Sequence, residues 1–222
     1  MMARAWRTRT SLGQRGFSLV ELMVAIVVMG AVLAGMYMGL SNLQTTAAGA
    51  SERMQNLDEG RVLMATVTKD IRTGTRLSVD QSPFTYADSR RLEFYANINT
   101  TTGPNRVNIF VDPQFKLVEQ TIAPTASTPC PPCWSYTGTP TVRIVGRWIA
   151  NSPTEPIFRF FDGTGAEIDG TTALDPTELK NVDSIEVMLM IRKSQRVGKP
   201  TTLINRVRLP NVDWNPLAVP SP

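Results

Sequence analysis

The chain contains no histidine and only two cysteines, Cys130 and Cys133, among 222 residues. Without an imidazole, hydrolytic triads of the Ser-His-Asp kind are excluded. A zinc site on the two thiols would need two further ligands, and neither a histidine nor another cysteine is there to supply them. No G-x-S-x-G nucleophile elbow and no phosphate-cradling glycine loop occurs. Paired acids are left open as enzyme chemistry. The expectation is a protein that is not an enzyme and that carries neither cofactor nor metal.

Acidic residues are missing from the first sixteen positions, where Arg4, Arg7, Arg9 and Arg15 stand without a counter-charge. Charge of either sign is missing from Leu22 to Leu40, and the apolar tract from Phe17 onward reaches the roughly 20 residues that a helix needs to cross a bilayer. The leader arginines predict a cytoplasmic N-terminus and everything after the anchor outside. One ionisable group, Glu21, falls about a turn inside the apolar tract. A carboxylate at that depth costs roughly 2.5–3.5 kcal/mol on insertion scales, so it requires a partner or a function. No lysine or arginine is near it after position 16. Cutting the peptide bond after Gly16 would give Phe17 a free amine at almost the depth of Glu21, in its own or a neighbouring subunit. A secretory signal would place its cut after the apolar region, behind small residues, and a plain signal anchor would give no reason for Glu21.

Arg15-Gly16-Phe17-Ser18-Leu19-Val20-Glu21-Leu22 resembles the class III signal of type IV pilins and type II secretion pseudopilins. The resemblance implies cleavage between Gly16 and Phe17 by a membrane prepilin peptidase, N-methylation of Phe17, and an assembly role for Glu21 as the fifth residue of the mature chain. It also implies the partners: the peptidase, other minor and major pilins or pseudopilins, and membrane lipid. The expected home is the inner membrane, single-pass with the head outside the cytoplasm, and then a pilus or pseudopilus. Four organisational segments follow: a leader over 1–16, a transmembrane and assembly helix over 17–40, its amphipathic continuation over 41–74, and a β-rich head over 75–222.

Cleavage changes the charge balance. Of 23 basic residues four lie in the leader, so 19 remain against 19 acidic. A near-neutral mature chain lacks the positive field that drives nucleic-acid binding, so DNA enters as a partner only through family analogy. The clusters Arg90-Arg91 and Arg192 to Lys199 read first as solvated strand ends and loops.

After the anchor, Leu43, Ala50, Leu57, Met64 and Ile71 recur at heptad spacing, with Ala47, Met54, Leu63 and Val67 adjoining. That is one buried stripe of an amphipathic helix. Glu52, Arg53, Asp58, Glu59, Lys69 and Asp70 are assigned to its polar face, and Gly74 to its stop. Gly30, Gly35 and Gly39 weaken the helix interior by about 0.5–1 kcal/mol each relative to alanine. They serve either close helix packing in the bilayer or partial unwinding when the subunit leaves it, and the anchor lacks the proline that would favour the second.

Beyond Gly74 the alternation of residues 91–98, 106–111 and 115–120 predicts strands, the last two joined by a turn at Asp112-Pro113-Gln114. Further strands are expected over 141–149, 157–161, 182–192 and 201–209. Strands without interleaved helices predict an antiparallel sheet packed on the long helix, an α+β fold. The proline- and threonine-rich stretch 123–140 reads as a surface loop, and 210–222 as an irregular tail. Cys130-Pro131-Pro132-Cys133 lacks the βαβ setting that a redox pair needs, so a local disulfide is the simplest reading outside the cytoplasm. Asp162-Gly163-Thr164-Gly165 departs from EF-hand spacing and reads as a hairpin turn.

Within the family, Lys69-Asp70-Ile71-Arg72, Pro156 to Gly163 and Leu179 to Val187 resemble PilW-type minor pilins and J-type pseudopilins. That likeness implies a place at or near a filament tip, where the subunit helps to start assembly. A pseudopilin of type II secretion, a tip adhesin or DNA-uptake subunit, and an anchored enzyme are the other classes left open.

Overall fold

The computed structural model describes residues 18–78, 80–98, 103–125, 134–193 and 199–209. Gly16, Phe17, Cys130 and Cys133 therefore lie outside the described residues. Helix α1 runs over Leu19–Arg72, 54 residues without interruption. Contacts divide the chain into a unit that ends at Ala48 and a unit that begins at Gly49.

In the first unit Ser18 starts the helix. Its carbonyl accepts the Leu22 N–H at 3.1 Å, the first bond of the helix, and its Oγ accepts the Glu21 N–H at 3.2 Å, which satisfies one of the donors left bare at a helix start. The helix then continues through Gly30, Gly35 and Gly39, where an added β-carbon would meet nothing within 4 Å.

The second unit is α+β, as the strand pattern predicted. Strands β1 (Phe84–Ala87), β2 (Arg91–Ala96), β3 (Asn105–Val111), β4 (Leu117–Ile122) and β5 (Thr141–Gly146) form one antiparallel sheet in chain order. Strands β6 (Phe158–Phe161), β7 (Glu167–Ile168), β8 (Ser184–Ile191) and β9 (Thr201–Arg208) form a second, ordered β7-β6-β8-β9. The expectation of one sheet is thus corrected to two; beyond β5, Ile149 makes an isolated bridge to Ile191 of β8. Alternation decides the faces: Leu92, Phe94, Val107, Ile109 and Leu117 of the first sheet and Phe158, Phe160, Val187 and Leu189 of the second are all buried in a common core. Leu63, Met64, Val67 and Ile71 of α1 complete it.

Three elements escaped the sequence reading. Strand β1 has four residues and is held by its pairing to β2, with Phe84 edge-to-face on Phe94 at 6.4 Å. Strand β7 has two residues. Helix α2, Pro176–Asn181, carries a capping box that was legible: Asp175 Oδ1 accepts the N–H groups of Thr177 and Glu178, while the Glu178 carboxylate accepts the Asp175 N–H.

The heptad stripe is buried only toward its end. Of the stripe, Leu63, Met64, Val67 and Ile71 are buried and Leu57 is half-buried, whereas Leu43, Ala50 and Met54 stand exposed in the isolated chain. The polar face also needs one correction. Asp70 is 5% exposed and belongs to the buried side, because strands β4 and β5 reach that turn of the helix.

Candidate functional site

In the first unit the site expected from the sequence is a helix surface rather than a cavity. From Leu19 to Leu40 every side chain is exposed, among them Leu22, Val24, Ile26, Val27, Met29 and Leu33. A helix with that composition and length is able to cross a membrane. Glu21 is the one charged group on it before Glu52. It lies in the first turn of the helix. The S-x-x-E spacing of Ser18 and Glu21 is the local signal of this helix start. One face carries an apolar notch of about 380 Å³ between Ala25, Ile26, Met29, Gly30 and Leu33, opened by the missing side chain at Gly30.

In the second unit a different group of charges comes together, which no sequence motif marked. Asp70 from α1 and Glu119 from β4 are both 5% exposed. Arg143 of β5 reaches both through one nitrogen: Nη2 lies 2.5 Å from Glu119 Oε2 and 3.4 Å from Asp70 Oδ2. The three line a polar groove of about 550 Å³ together with Lys69, Thr73, Asn97 and Asn105. Burial, a hydrogen bond to Glu119 and the Glu119 charge push the Asp70 carboxyl up to about 7, against the opposing pull of Arg143 and Lys69. Glu119 in turn raises the Arg143 guanidinium. The arrangement binds helix to sheet; it holds no nucleophile poised on a base.

The second sheet carries an alternating charge ladder on its outer face. Arg159 on β6 donates two hydrogen bonds to Glu167 on β7, at 2.7 and 2.5 Å, and one to Glu186 on β8 at 2.9 Å. Arg206 on β9 lies 3.7 Å from the Phe161 ring centroid. Arg159 holds Glu167 below the ordinary carboxylate range. The basic cluster at Arg90 and Arg91 is likewise occupied within the chain, Arg90 with the Ser152 carbonyl and Arg91 with Glu93 and Asn108. At the acidic turn, Asp162 Oδ1 accepts the N–H groups of Thr164 and Ala166 and the Thr164 hydroxyl. These bonds hold its carboxyl below the usual range and make it a turn, as expected. Among the described residues no group of three metal-ligating side chains converges.

The loop that carries the cysteines is described only at its two ends. Thr125 bonds the Ser135 carbonyl through both its N–H and its hydroxyl at 2.7 Å. Tyr136 stacks on Tyr95 at 5.2 Å and donates its hydroxyl to the Pro104 carbonyl.

The model of the prokaryotic N-terminal methylation motif matches residues 12–37, across the candidate cut and the first turns of α1. The match supports a type IV pilin-like protein, and a long apolar N-terminal helix followed by antiparallel sheets is the α+β layout of that class. Neither the curated proteins nor the solved structures returned a match.

Proposed function

We propose that the chain is a minor pilin of a type IV pilus, cut between Gly16 and Phe17 by prepilin peptidase, N-methylated on Phe17, and placed at the filament tip to start or cap assembly. The observation that carries this reading is the methylation motif over residues 12–37, laid on a helix whose apolar surface bears Glu21 as its sole charge before Glu52. In this reading residues 1–16 are the leader, 17–40 the transmembrane and assembly segment, 41–74 its continuation and 75–222 the head. The leader arginines keep the N-terminus cytoplasmic, so the head stands outside the inner membrane.

Assembly is mechanical and electrostatic. The membrane stores the bare apolar helix; in the filament, neighbouring helices replace lipid around it. The Phe17 amine and the Glu21 carboxylate then pair and set the axial register, since an unpaired charge in that dry core would be strongly unfavourable. A type II secretion pseudopilin shares every one of these N-terminal features, and the likeness of the head to J-type subunits favours it as the second reading.

Mass analysis of the mature polypeptide tests the processing, with a chain that starts at N-methylated Phe17 as the expected result. A start at any other residue overturns it. Immunogold labelling then separates the roles: label at filament ends supports the tip subunit, and label along the shaft or in a secretion pseudopilus overturns it.

A further inference from the structure

We propose that the end of the head where Phe115, Arg147, Trp148, Arg192 and Lys193 gather docks on an anionic phospholipid surface while the subunit waits in the membrane. The proposal rests on the membrane-anchored reading given above.

Two backbone outliers mark this end. Among the described residues, Phe115 and Trp148 are the two that carry a side chain on a left-handed backbone, at φ 58° and 65°. A bulky residue in that region is held there only because the surrounding fold fixes it. Both rings are nevertheless exposed, at 57% and 45%, so burial within the head does not account for the strain. The backbone brings the two positions to one place. The Ile149 N–H donates to the Phe115 carbonyl at 3.0 Å, and the Arg192 N–H donates to the Trp148 carbonyl at 3.0 Å. The Lys193 N–H reaches Asn56 Oδ1 at 3.4 Å, and Asn56 is the first residue of α1 that is buried. This is therefore the end at which α1 enters the second unit.

The exposed charge at this end is positive. Lys116, Arg147, Arg192 and Lys193 form no ion pair with any described residue. Of the acids nearby, Asp112 has one oxygen taken by the amides of Gln114 and Lys116, and Glu52 on α1 is half-buried. Two rings set among unpaired cations suit a bilayer surface: aromatic rings settle at headgroup level, and each neighbouring cation is drawn to anionic lipid. A free polyanion would account for the cations, but the place of the face in the chain favours lipid. Only residues 41–48, about 12 Å of helix, separate the apolar tract from the second unit. A spanning helix leans by up to about 40°, and a lean toward this face lowers it onto the headgroups.

Paramagnetic relaxation from a headgroup spin label tests the docking on the full chain in bilayer nanodiscs. Amides of α2, which precedes β8 where Arg192 follows it, serve as the reference. In discs that contain phosphatidylglycerol, the amides of Arg147, Trp148 and Arg192 should relax at least about threefold faster than those of α2, and pure phosphatidylcholine or about 0.5 M salt should remove the excess. Combined Arg147→Glu, Arg192→Glu and Lys193→Glu should remove it as well, with the fold kept because all three side chains are exposed. Equal relaxation of the two regions in anionic discs overturns the proposal, as does an excess that survives in pure phosphatidylcholine; these two arms use the unaltered chain and decide even if the variant fails to fold. Shifts of the same amides on adding a single-stranded oligonucleotide, without an excess in anionic discs, would assign the face to nucleic acid and overturn the lipid. A chain that does not enter the discs at all defeats the anchor reading, whereas an anchored chain with an undocked head defeats this inference alone.

Discussion

The side chain of Leu63 on α1 occupies the space into which a β-carbon on Gly146 of β5 would project. Helix and strand meet there with no room for a larger residue, and Leu63 is itself 2% exposed. Gly146→Ala should therefore destabilise the head by about 1–3 kcal/mol through overpacking. Leu63→Ala should cost about 2–5 kcal/mol by leaving a cavity. The two should combine to less than their sum, since the first change fills space that the second vacates. Denaturant unfolding of the single and double variants measures this, and strict additivity would show that the two residues do not share the space.

Asp70 makes stability depend on pH in a stated direction. Its carboxyl titrates at about 7 in the folded chain against an ordinary 3.8, so between those values the folded state keeps a proton that the unfolded state has lost. Stability then falls as pH rises through that window and levels off above it. The loss should amount to roughly 2 kcal/mol, below the full linkage value because the groove is open to water. Asp70→Asn, whose amide can still donate to Glu119, should remove this part of the slope. Unfolding free energies of both proteins at about pH 5 and pH 8 give the comparison.

Two hairpin turns of the same build differ at one backbone position. In each, an aspartate at the start accepts N–H groups two and four residues on, and the fourth residue has a left-handed backbone: Gly165 at φ 88° in one turn and Phe115 at φ 58° in the other. Gly165→Ala, with open space around the new methyl group, should destabilise by about 1 kcal/mol from backbone strain alone. Phe115→Gly should gain up to about 1 kcal/mol by relieving the same strain, as its ring is largely exposed. Thermal unfolding reads both, and a loss at Phe115→Gly would mean that the ring contributes more than its exposure suggests.

Replacing Glu21 separates anchoring from assembly. Glu21→Val removes a charge from an otherwise apolar surface, so membrane insertion should persist or strengthen by roughly 2–3 kcal/mol. Recovery in sheared filaments should nevertheless drop at least tenfold. Normal recovery would remove the register role, while loss from the membrane fraction would contradict the anchor.

Uncut precursor is the expected outcome for Gly16→Phe. On a denaturing gel it should run heavier by the leader, and a product of ordinary mass would show that the peptidase cuts elsewhere.

What the sequence determined by itself was everything set by local spacing. A run of apolar residues free of charge makes an exposed helix whatever the head does, and Glu21 stands out on it for the same reason. Most strands of the head were legible because alternation has a period of two, and the turn at Asp162 because an Asx turn closes over four residues. The tertiary structure decided where the chain's distant segments meet. It split the strands into two sheets, buried the heptad stripe only from Leu63 onward, and turned Asp70 from a surface acid into a buried one. Asp70, Glu119 and Arg143 come from three separate elements and share no local pattern. Their charge state follows from distances and lost solvent, and those exist only once the helix and the sheet have packed.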